Sequence, residues 1–376
     1  CQYACQPQAI NHRMTSRRRE LSVGAVILAP GVELFDPRPK TGYGYGRYPN
    51  VITSLEFERI LSASGPFGGH VQRPSDGQEP RRIAWLQCVG SRDVSHSRPY
   101  CSSVCCMYAI KEAVIAKEHL GEVDATIFYL DIRAFGKDFE RYVERASIEH
   151  GVRFVRSFVP NLKEDPATHN LVIRYTTPND QVCEEEFDLV VLSVGMQPAR
   201  SAQELAKRLG LACDDNGFPA GVPLAPTQTR RPGVYAIGTF REPKDIPETV
   251  IEASCAAAQV SALLAPGRGS LTRSKVYPPE LDVHDQDARV GVFVCHCGIN
   301  IGGVVDVPQV VEYASTLLGV AYAERNLYTC SQDTQAKIRE KIQEHRLNRI
   351  VVASCTPRTH EPLFQDTIRE AGLNRF

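Results

Sequence analysis

Four cysteines lie close together between residues 88 and 106, where the chain reads CVGSRDVSHSRPYCSSVCC. These loop cysteines are Cys88, Cys101, Cys105 and Cys106. Four thiolates are the ligand set of a [4Fe–4S] cluster and also of a structural zinc ion. Adjacent cysteines are unusual for zinc, and soft thiolates favour an electron-transfer cluster. Unliganded core cysteines are disfavoured, because so many fall in so short a stretch.

A second group, the strand-end cysteines, is spread over the C-terminal part of the chain. Each follows an apolar run that is typical of a strand, and its members are Cys295, Cys297, Cys330 and Cys355. The long spacing leaves a second cluster and scattered core cysteines equally open. Cys183, Cys213 and Cys255 occur singly and are interpreted as structural.

The chain begins with a third cysteine pattern, Cys1 and Cys5 followed by Pro7. It is similar to the closing half of a bacterial ferredoxin motif, although the proline comes one residue late. Residues 1–20 are therefore predicted to be the remnant of such a motif, with two unrelated cysteines as the alternative. We expect the chain to be a segment of a longer protein.

The elements around the loop cysteines predict a βαβ unit, with a strand at Ile83–Cys88, a helix at Met107–His119 and a strand at Ala125–Asp131. The first turn of such a unit is where a doubly wound sheet binds phosphates. Here the glycine fingerprint is missing and cysteines occupy the loop. Residues 81–187 are therefore predicted to form a nucleotide-domain-like lobe that carries a metal site instead.

Three apolar runs end in a glycine, at Gly31, Gly195 and Gly238, where the backbone could approach a ligand closely. Thr239 follows at a place where flavoprotein disulfide reductases carry an aspartate on the flavin, although such a Gly-Thr pair alone is more typical of a turn. A helix predicted at Thr249–Leu264 offers its N-terminal N–H groups to a ligand. Residues 21–80 and 188–270 are predicted to form part of an FAD-binding lobe.

Length and composition indicate an ordinary α/β protein of two to three domains. The 376 residues are 43% apolar and 23% charged, with a net charge of −1, so no nucleic-acid or anionic-membrane surface is expected. No apolar run is long enough to span a membrane and no export signal is visible, which favours the cytoplasm. Thirteen cysteines then indicate metal or redox chemistry. A linker is predicted at 271–288 and a second α/β domain at 289–376.

Several stretches resemble the heterodisulfide reductase A-subunit family, the iron–sulfur flavoproteins of methanogens and many anaerobic bacteria. They lie within about residues 20–265 and read GYGYGRYPNVITS from residue 42, LSASGP from 61, CVGSRD from 88, YCSSVCCMYA from 100 and PKDIPE from 243. The resemblance implies thioredoxin-reductase-like, doubly wound domains that hold FAD, with a [4Fe–4S] cluster on the loop cysteines. It also implies that Lys111 lies near the flavin as a catalytic residue. The flavin would be lined by Gly238, Thr239, Lys244, Asp245, Ile246, Pro247 and Glu248.

The last part of the chain resembles the amino-terminal domain of the same family, which suggests a second copy beginning near Arg289. This likeness favours the strand-end cysteines as ligands of a further cluster. No G-x-G-x-x-G occurs, so the FAD fingerprint is expected upstream of residue 1.

The function implied is electron transfer between a hydrogenase- or formate dehydrogenase-type donor, ferredoxin and other heterodisulfide reductase-type subunits, with bifurcation left open. The alternative is an iron–sulfur scaffold, or electron wire, without a working flavin site. An NAD(P)-dependent disulfide reductase is disfavoured, because the chain has no Cys-x-x-Cys pair and no glycine-rich nucleotide loop.

Overall fold

The computed structural model describes residue 3, residues 9–62 and residues 64–376. The chain divides into two compact units, Leu21–Arg268 and a smaller one formed by Gly269–Phe376 with Cys1–Glu20. The predicted ferredoxin-type ligands Cys1 and Cys5 lie outside the described residues. No helix in the described part of the chain has the length and apolar character needed to cross a membrane.

The larger unit contains twelve strands and five α-helices among its described residues. The strands are β1 (Val26–Leu28), β2 (Glu33–Leu34), β3 (Val51–Thr53), β4 (Arg82–Val89), β5 (Asp124–Tyr129), β6 (Arg153–Arg156), β7 (Leu162–Glu164), β8 (Leu171–Thr176), β9 (Val182–Phe187), β10 (Leu189–Val194), β11 (Met196–Gln197) and β12 (Val234–Ala236). The helices are α1 (Ser54–Leu61), α2 (Cys105–Leu120), α3 (Phe139–Ile148), α4 (Arg200–Arg208) and α5 (Ile246–Leu263).

The main sheet of this unit is parallel, with the strand order β3-β10-β4-β5-β6. Two of its strands, β4 and β5, form the predicted βαβ unit together with α2. The sheet also crosses the predicted lobe boundaries, because β3 and β10 come from outside residues 81–187. β10 is apolar along nearly its whole length and fully buried, so it occupies a central position where both faces are covered.

Alternate residues of β4 face two different cores, as the period of a strand requires. Ile83 and Trp85 pack with helix residues such as Ile110 and Ala113. Ala84 and Leu86 pack with Leu171, Ile173 and Phe187 of the antiparallel sheet β7-β8-β9. One face of the parallel sheet is therefore covered by helices and the other by this antiparallel sheet, rather than by a second layer of helices.

Two helix starts are fixed by a capping box. α1 begins after Thr53, whose hydroxyl accepts a hydrogen bond from the Glu56 N–H while the Glu56 carboxylate accepts one from the Thr53 N–H. α5 begins at Ile246, three residues before the predicted Thr249, because Asp245 and Glu248 form the same box. Pro247 lies in the first turn of α5, where the missing N–H of a proline costs no helical hydrogen bond.

The smaller unit contains a second parallel sheet, with the order β14-β13-β15. Apolar cores lie on both faces, one including Phe293 and Ile338 and the other including Val292 and Val307. Its elements are β13 (Val290–Cys295), α6 (Ile299–Gly302), α7 (Val307–Ser315), β14 (Val320–Asn326), α8 (Gln332–Glu344), β15 (Arg349–Ala353) and α9 (Pro357–Glu370).

Candidate cluster and flavin site

Cys88 lies in a bulge near the end of β4. Leu86 pairs with Leu192 and Val89 with Val194, so two residues of β4 face the single residue Ser193 of β10. Cys88 has a φ of 62°, which is the left-handed conformation. A bulge re-aims side chains at the end of a strand, where an α/β sheet forms its sites.

The loop that follows is held by its own backbone and by serine side chains. The Arg92 N–H donates to the Tyr100 carbonyl at 2.7 Å. The Ser91 hydroxyl accepts from the Ser102 N–H at 2.9 Å. The Ser102 hydroxyl accepts from the Met196 N–H at 2.8 Å, which ties the loop to the start of β11. These bonds fix the loop that carries Cys101 and leads into the first turn of α2, where Cys105 and Cys106 lie.

The four loop cysteines lie close enough to influence one another electrostatically. Burial raises the pKa of Cys88 to about 11, with Cys106 and Cys101 adding to the rise. Burial also raises the pKa of Cys105, and the other three thiols raise it further. The pKa of Cys106 is raised by burial as well, and Cys101 contributes. The structure therefore brings the four predicted ligands together.

Two arginines at the same place oppose this accumulation of negative charge. Arg92 lowers the pKa of Cys88, although less than burial raises it. A backbone hydrogen bond from Arg133 and the Arg133 charge lower the pKa of Cys106. Asp131 accepts hydrogen bonds from both arginines, at 2.9 Å from the Arg133 Nε, and so holds them in place. Cationic side chains of this kind favour thiolates over thiols.

As the side chains stand, no group of three or more His, Cys, Asp or Glu in the described part of the chain forms a site that could hold a metal ion. A single ion draws all its ligands toward one point, whereas a [4Fe–4S] cluster binds each thiolate through a different iron and needs them farther apart. The donor set fits the cluster better, since all four residues are soft thiolate donors and two of them are adjacent in the chain. The ligand assignment remains a prediction.

A cavity of about 510 Å³ lies beside the loop cysteines. One wall is formed by the start of α2, including Val104, Met107 and Lys111. Another is formed by Thr239 and the start of α5. The volume is typical of a cofactor pocket, and the lining combines apolar side chains with a few polar groups. The remaining lining residues are Ser103, Tyr108, Arg133, Phe135, Phe139, Met196, Lys244, Asp245, Ile246, Pro247 and Thr249.

Six of the residues predicted to serve the flavin line this cavity, namely Lys111, Thr239, Lys244, Asp245, Ile246 and Pro247. The Lys244 ammonium is not free to meet a ligand, because it is buried and paired with Glu252 at 2.5 Å. Lys111 is half exposed, with its Nζ 2.6 Å from Glu58 Oε1.

The other predicted flavin residues do not line the cavity. Gly31 has a φ of 80°, and a Cβ there would lie 3.9 Å from the Thr239 hydroxyl, so it sits next to a lining residue. A Cβ on Gly195 would lie 2.7 Å from Ser102 Oγ, so this glycine serves close packing against the cysteine loop. Gly238 donates its N–H to Glu252 at 2.7 Å, and Glu248 caps α5.

Sequence reasoning missed the wall contributed by Arg133, Phe135 and Phe139. The available signal was their position directly after β5, the strand next to β4, because neighbouring parallel strands end at the same edge of a sheet. A larger cavity of about 750 Å³ lies elsewhere in this unit, lined by residues such as Arg47 and Tyr48. Among the described residues, neither cavity is lined by a cysteine, but only the smaller one is lined by Ser103 and Val104, which lie between Cys101 and Cys105, and by the predicted flavin residues, so we place the candidate site there.

The strand-end cysteines also meet in space, at one edge of the sheet of the smaller unit. Cys295 ends β13, and Cys330 and Cys355 follow β14 and β15. Burial raises the pKa of Cys330, and Cys295, Cys355 and Cys297 raise it further. Cys297 has a φ of 47° and precedes Gly298 in a tight turn. The sheet therefore brings together four thiols from well-separated parts of the sequence.

The matched family agrees with this architecture. Residues 107–257 match the family described as pyridine nucleotide-disulphide oxidoreductase. Together with the parallel sheets, this match confirms the predicted α/β fold class and shows that the chain contains an oxidoreductase-type domain. The chain is also similar to a thioredoxin reductase from T. acidophilum, with 16% identity, 63% of this chain and 65% of that chain covered, and a TM-score of 0.41.

Similar curated proteins are more specific than this broad family match. The chain is 48% identical over 251 residues to the second iron-sulfur A-subunit of the CoB–CoM heterodisulfide reductase of Methanopyrus kandleri, covering 66% of this chain and 38% of that protein. It is 42% identical over 298 residues to the corresponding A-subunit of Methanocaldococcus jannaschii, covering 78% and 44%. A third relative is the A-subunit of the H(2)/formate:CoB-CoM heterodisulfide,ferredoxin reductase of Methanococcus maripaludis, at 43% identity over 264 residues, covering 69% and 40%.

These curated relatives are heterodisulfide reductase A-subunits, the family that the sequence motifs predicted. The chain spans less than half the length of these relatives.

Proposed function

We propose that this chain forms the electron-transfer core of an iron–sulfur flavoprotein of the heterodisulfide reductase type. The observation that supports the proposal is the cavity of about 510 Å³, which is lined on one side by chain neighbours of the loop cysteines, namely Ser103, Val104 and Met107, and on the other by predicted flavin residues. A flavin in that cavity would lie beside a cluster on Cys88, Cys101, Cys105 and Cys106. Electron carriers that exchange electrons need such closeness in a water-poor setting.

The lining residues suit a flavin. Met107, Phe135 and Phe139 offer an apolar surface to a planar ring, while Lys111 and Arg133 offer positive charge. The N-terminus of α5 adds backbone N–H groups, which favour an electron-rich edge. When bound, FAD supplies the exchange between two-electron and one-electron chemistry, and the clusters carry single electrons.

The protein's own contribution is to orient the cofactors, to exclude water from the cavity and to place charged groups at the cavity wall. The Tyr108 hydroxyl donates to the Val194 carbonyl at 2.6 Å, which fixes the start of α2 against the end of β10. Lys111, the proposed catalytic residue, lies at the cavity wall with its Nζ 2.6 Å from Glu58 Oε1. Cys295, Cys297, Cys330 and Cys355 would hold a second cluster in the smaller unit.

In the whole protein, electrons would come from a hydrogenase- or formate dehydrogenase-type donor. They would leave toward ferredoxin and toward a disulfide-reducing partner protein, with bifurcation between the two acceptors, inside a cytoplasmic complex. The names of similar A-subunits, which mention hydrogen, formate and ferredoxin, support this part of the proposal. The same proposal includes Cys1 and Cys5 as ligands of a ferredoxin-type cluster.

The test is the cofactor content of the full-length protein after anaerobic purification. Denaturing release should yield flavin, and iron and acid-labile sulfide should accompany it. Thr239→Trp, which adds bulk to the cavity wall, should lower flavin content while leaving the iron in place. Thr272→Trp, at an exposed threonine outside the cavity, is the matched control.

Two outcomes decide between this function and the alternative. Iron without flavin in the wild-type protein would support an iron–sulfur electron wire. The sequence argument for that alternative is that these residues contain no G-x-G-x-x-G. A protein with neither iron nor flavin would sink both.

A further inference from the structure

Glu112 is a fully buried carboxyl group that no part of the proposed chemistry uses. It lies on α2 next to Lys111, with 0% of the residue exposed. The Trp85 indole N–H of β4 donates to its Oε2 at 2.9 Å. Its other oxygen, Oε1, receives no hydrogen bond from any donor in the part of the chain that the structure describes. A buried oxygen without a partner is costly and requires an explanation.

A second carboxyl group supplies that explanation. Glu58 of α1 lies within hydrogen-bonding reach of Glu112. Two ionised carboxylates at that separation repel each other strongly in a buried setting. A proton on Oε1 removes the repulsion and lets Glu112 donate a hydrogen bond to Glu58. The orphaned oxygen then becomes a donor, so the same proton accounts for both observations.

The larger influences on Glu112 favour this assignment, and two smaller ones oppose it. Burial raises the pKa of Glu112 well above its usual range, and the nearby charge of Glu58 raises it further. The Trp85 hydrogen bond and the Lys111 charge lower the pKa, but less strongly. Tyr108 is the remaining titratable neighbour, one helical turn earlier, and it is uncharged while its hydroxyl donates to Val194.

We propose that Glu112 is a positioning residue that carries a proton at neutral pH and uses it to hold Glu58 against Lys111 at the cavity wall. The order of groups is the Trp85 N–H, the Glu112 carboxylic acid, the Glu58 carboxylate and the Lys111 ammonium, which lines the cavity. That Lys111 then faces a flavin rests on the proposed function, whereas the protonated acid does not.

The protonated acid has an electrostatic consequence for the cavity. With Glu112 neutral, the Lys111 ammonium is balanced by the single charge of Glu58. With Glu112 ionised, the same ammonium would face two carboxylates, and the three groups together would carry a net negative charge. Glu112 therefore sets the charge next to the cavity without touching it.

Infrared spectroscopy of the full chain at neutral pH tests the proton directly. The wild-type protein should show the carbonyl stretch of a buried protonated carboxylic acid, and Glu112→Gln should remove it. Glu118→Gln, on the exposed side of the same helix, should leave the band unchanged. A wild-type spectrum without the band, or a band that survives in Glu112→Gln, would overturn the proposal. If Glu112→Gln fails to fold, following the wild-type band with pH gives the same decision.

A second measurement tests positioning rather than folding. Glu112→Ala removes the donor to Glu58, so Lys111 should react with an amine-modifying reagent about tenfold faster, as expected when a hydrogen bond to a charged group is lost. Glu112→Gln keeps a donor at that place and should restore the wild-type rate. Equal rates in all three proteins would refute the positioning role. Both readouts are independent of flavin, so a flavin-free protein that passes them would sink the proposed function alone.

Discussion

The loop cysteines and the strand-end cysteines each bring four thiols near one another, by opposite routes. The loop cysteines come from one continuous segment between β4 and α2, and only Cys88 belongs to a strand. The strand-end cysteines come from three separate strand ends, and the sheet alone brings them together. The first arrangement depends on local loop conformation, and the second depends on the folding of the whole smaller unit.

The two routes differ in how they use the backbone. Around the loop cysteines, Cys88, Arg92 and Ser103 adopt positive φ values without being glycine. Such residues cost of order 1–3 kcal/mol each and persist where the surroundings impose them. Among the strand-end cysteines, Cys297 does the same with a φ of 47°, but the parallel register of β13 with its two neighbours supplies most of the geometry. More positive-φ residues therefore lie around the loop cysteines than among the strand-end cysteines.

The largest expected effect separates the two groups by cluster content. Cys105→Ser should remove the iron of one cluster from the full-length protein, because serine does not replace a soft thiolate ligand well. Cys330→Ser should remove the iron of another, and the EPR signals lost should differ. Cys213→Ser, at an exposed cysteine in neither group, is the control. If either variant removed both signals, or neither variant changed the iron content, the two-site comparison would be wrong.

An intermediate effect is expected from glycines that support each group. Gly195→Ala places a Cβ 2.7 Å from Ser102 Oγ and 2.9 Å from the Gly90 carbonyl, and overpacking of this kind costs about 1–3 kcal/mol. Gly298→Ala meets the Tyr328 hydroxyl at 3.3 Å, and its φ of 57° costs about 1 kcal/mol. Urea unfolding of each variant gives the free energies. Gly267→Ala, where an added Cβ meets nothing, is the control. A Gly298→Ala cost as large as that of Gly195→Ala would contradict the ranking.

The smallest effect concerns acid stability and compares one acidic group from each unit. Partial burial raises the pKa of Glu185, but hydrogen bonds from Arg153 and Tyr175 outweigh it and lower the pKa to about 2. The folded state therefore binds this proton less readily than the unfolded state, and the stability that Glu185 contributes is lost as pH falls from about 4.5 toward 2. Glu185→Gln should flatten the loss of unfolding free energy over that pH range.

The matching group in the smaller unit is Asp366, whose pKa is lowered chiefly by its hydrogen bond from Lys275. That pair is well exposed, so solvent screens it, and Asp366→Asn should change the acid profile less than Glu185→Gln. A larger change in Asp366→Asn would reverse this part of the comparison.

The sequence predicted those parts of the molecule that short-range patterns encode. The apolar runs before Cys88 and Gly195 indicated buried strands, and the structure contains them as β4 and β10. The α2 helix was predicted for the same reason. The spacing of the loop cysteines was sufficient to propose a common site without any knowledge of tertiary contacts.

The parts that sequence could not supply are set by pairing between distant segments. Nothing local in Val51–Thr53 indicates that β3 joins β10 at the edge of the sheet, far from it in the chain. The side chain of Glu112 is another example, since a charged residue beside Lys111 on a helix is normally expected to face solvent. Only the packing of α1 and β4 against α2 shows that it is buried. The wall formed by Phe135 and Phe139 needed the folded sheet edge for the same reason.

The central position of β4 bears on how easily an electron could be exchanged at Cys88. β4 pairs with β10 on one side and β5 on the other, and its two faces are filled by separate apolar cores. A close-packed strand of this kind resists displacement, because any shift would disturb four neighbouring surfaces at once. A ligand anchored there would move little when the charge of its cluster changes by one unit. The structural reorganisation that accompanies the transfer of each electron would therefore be small around Cys88. The remaining movement would occur in the more strained loop around Cys101.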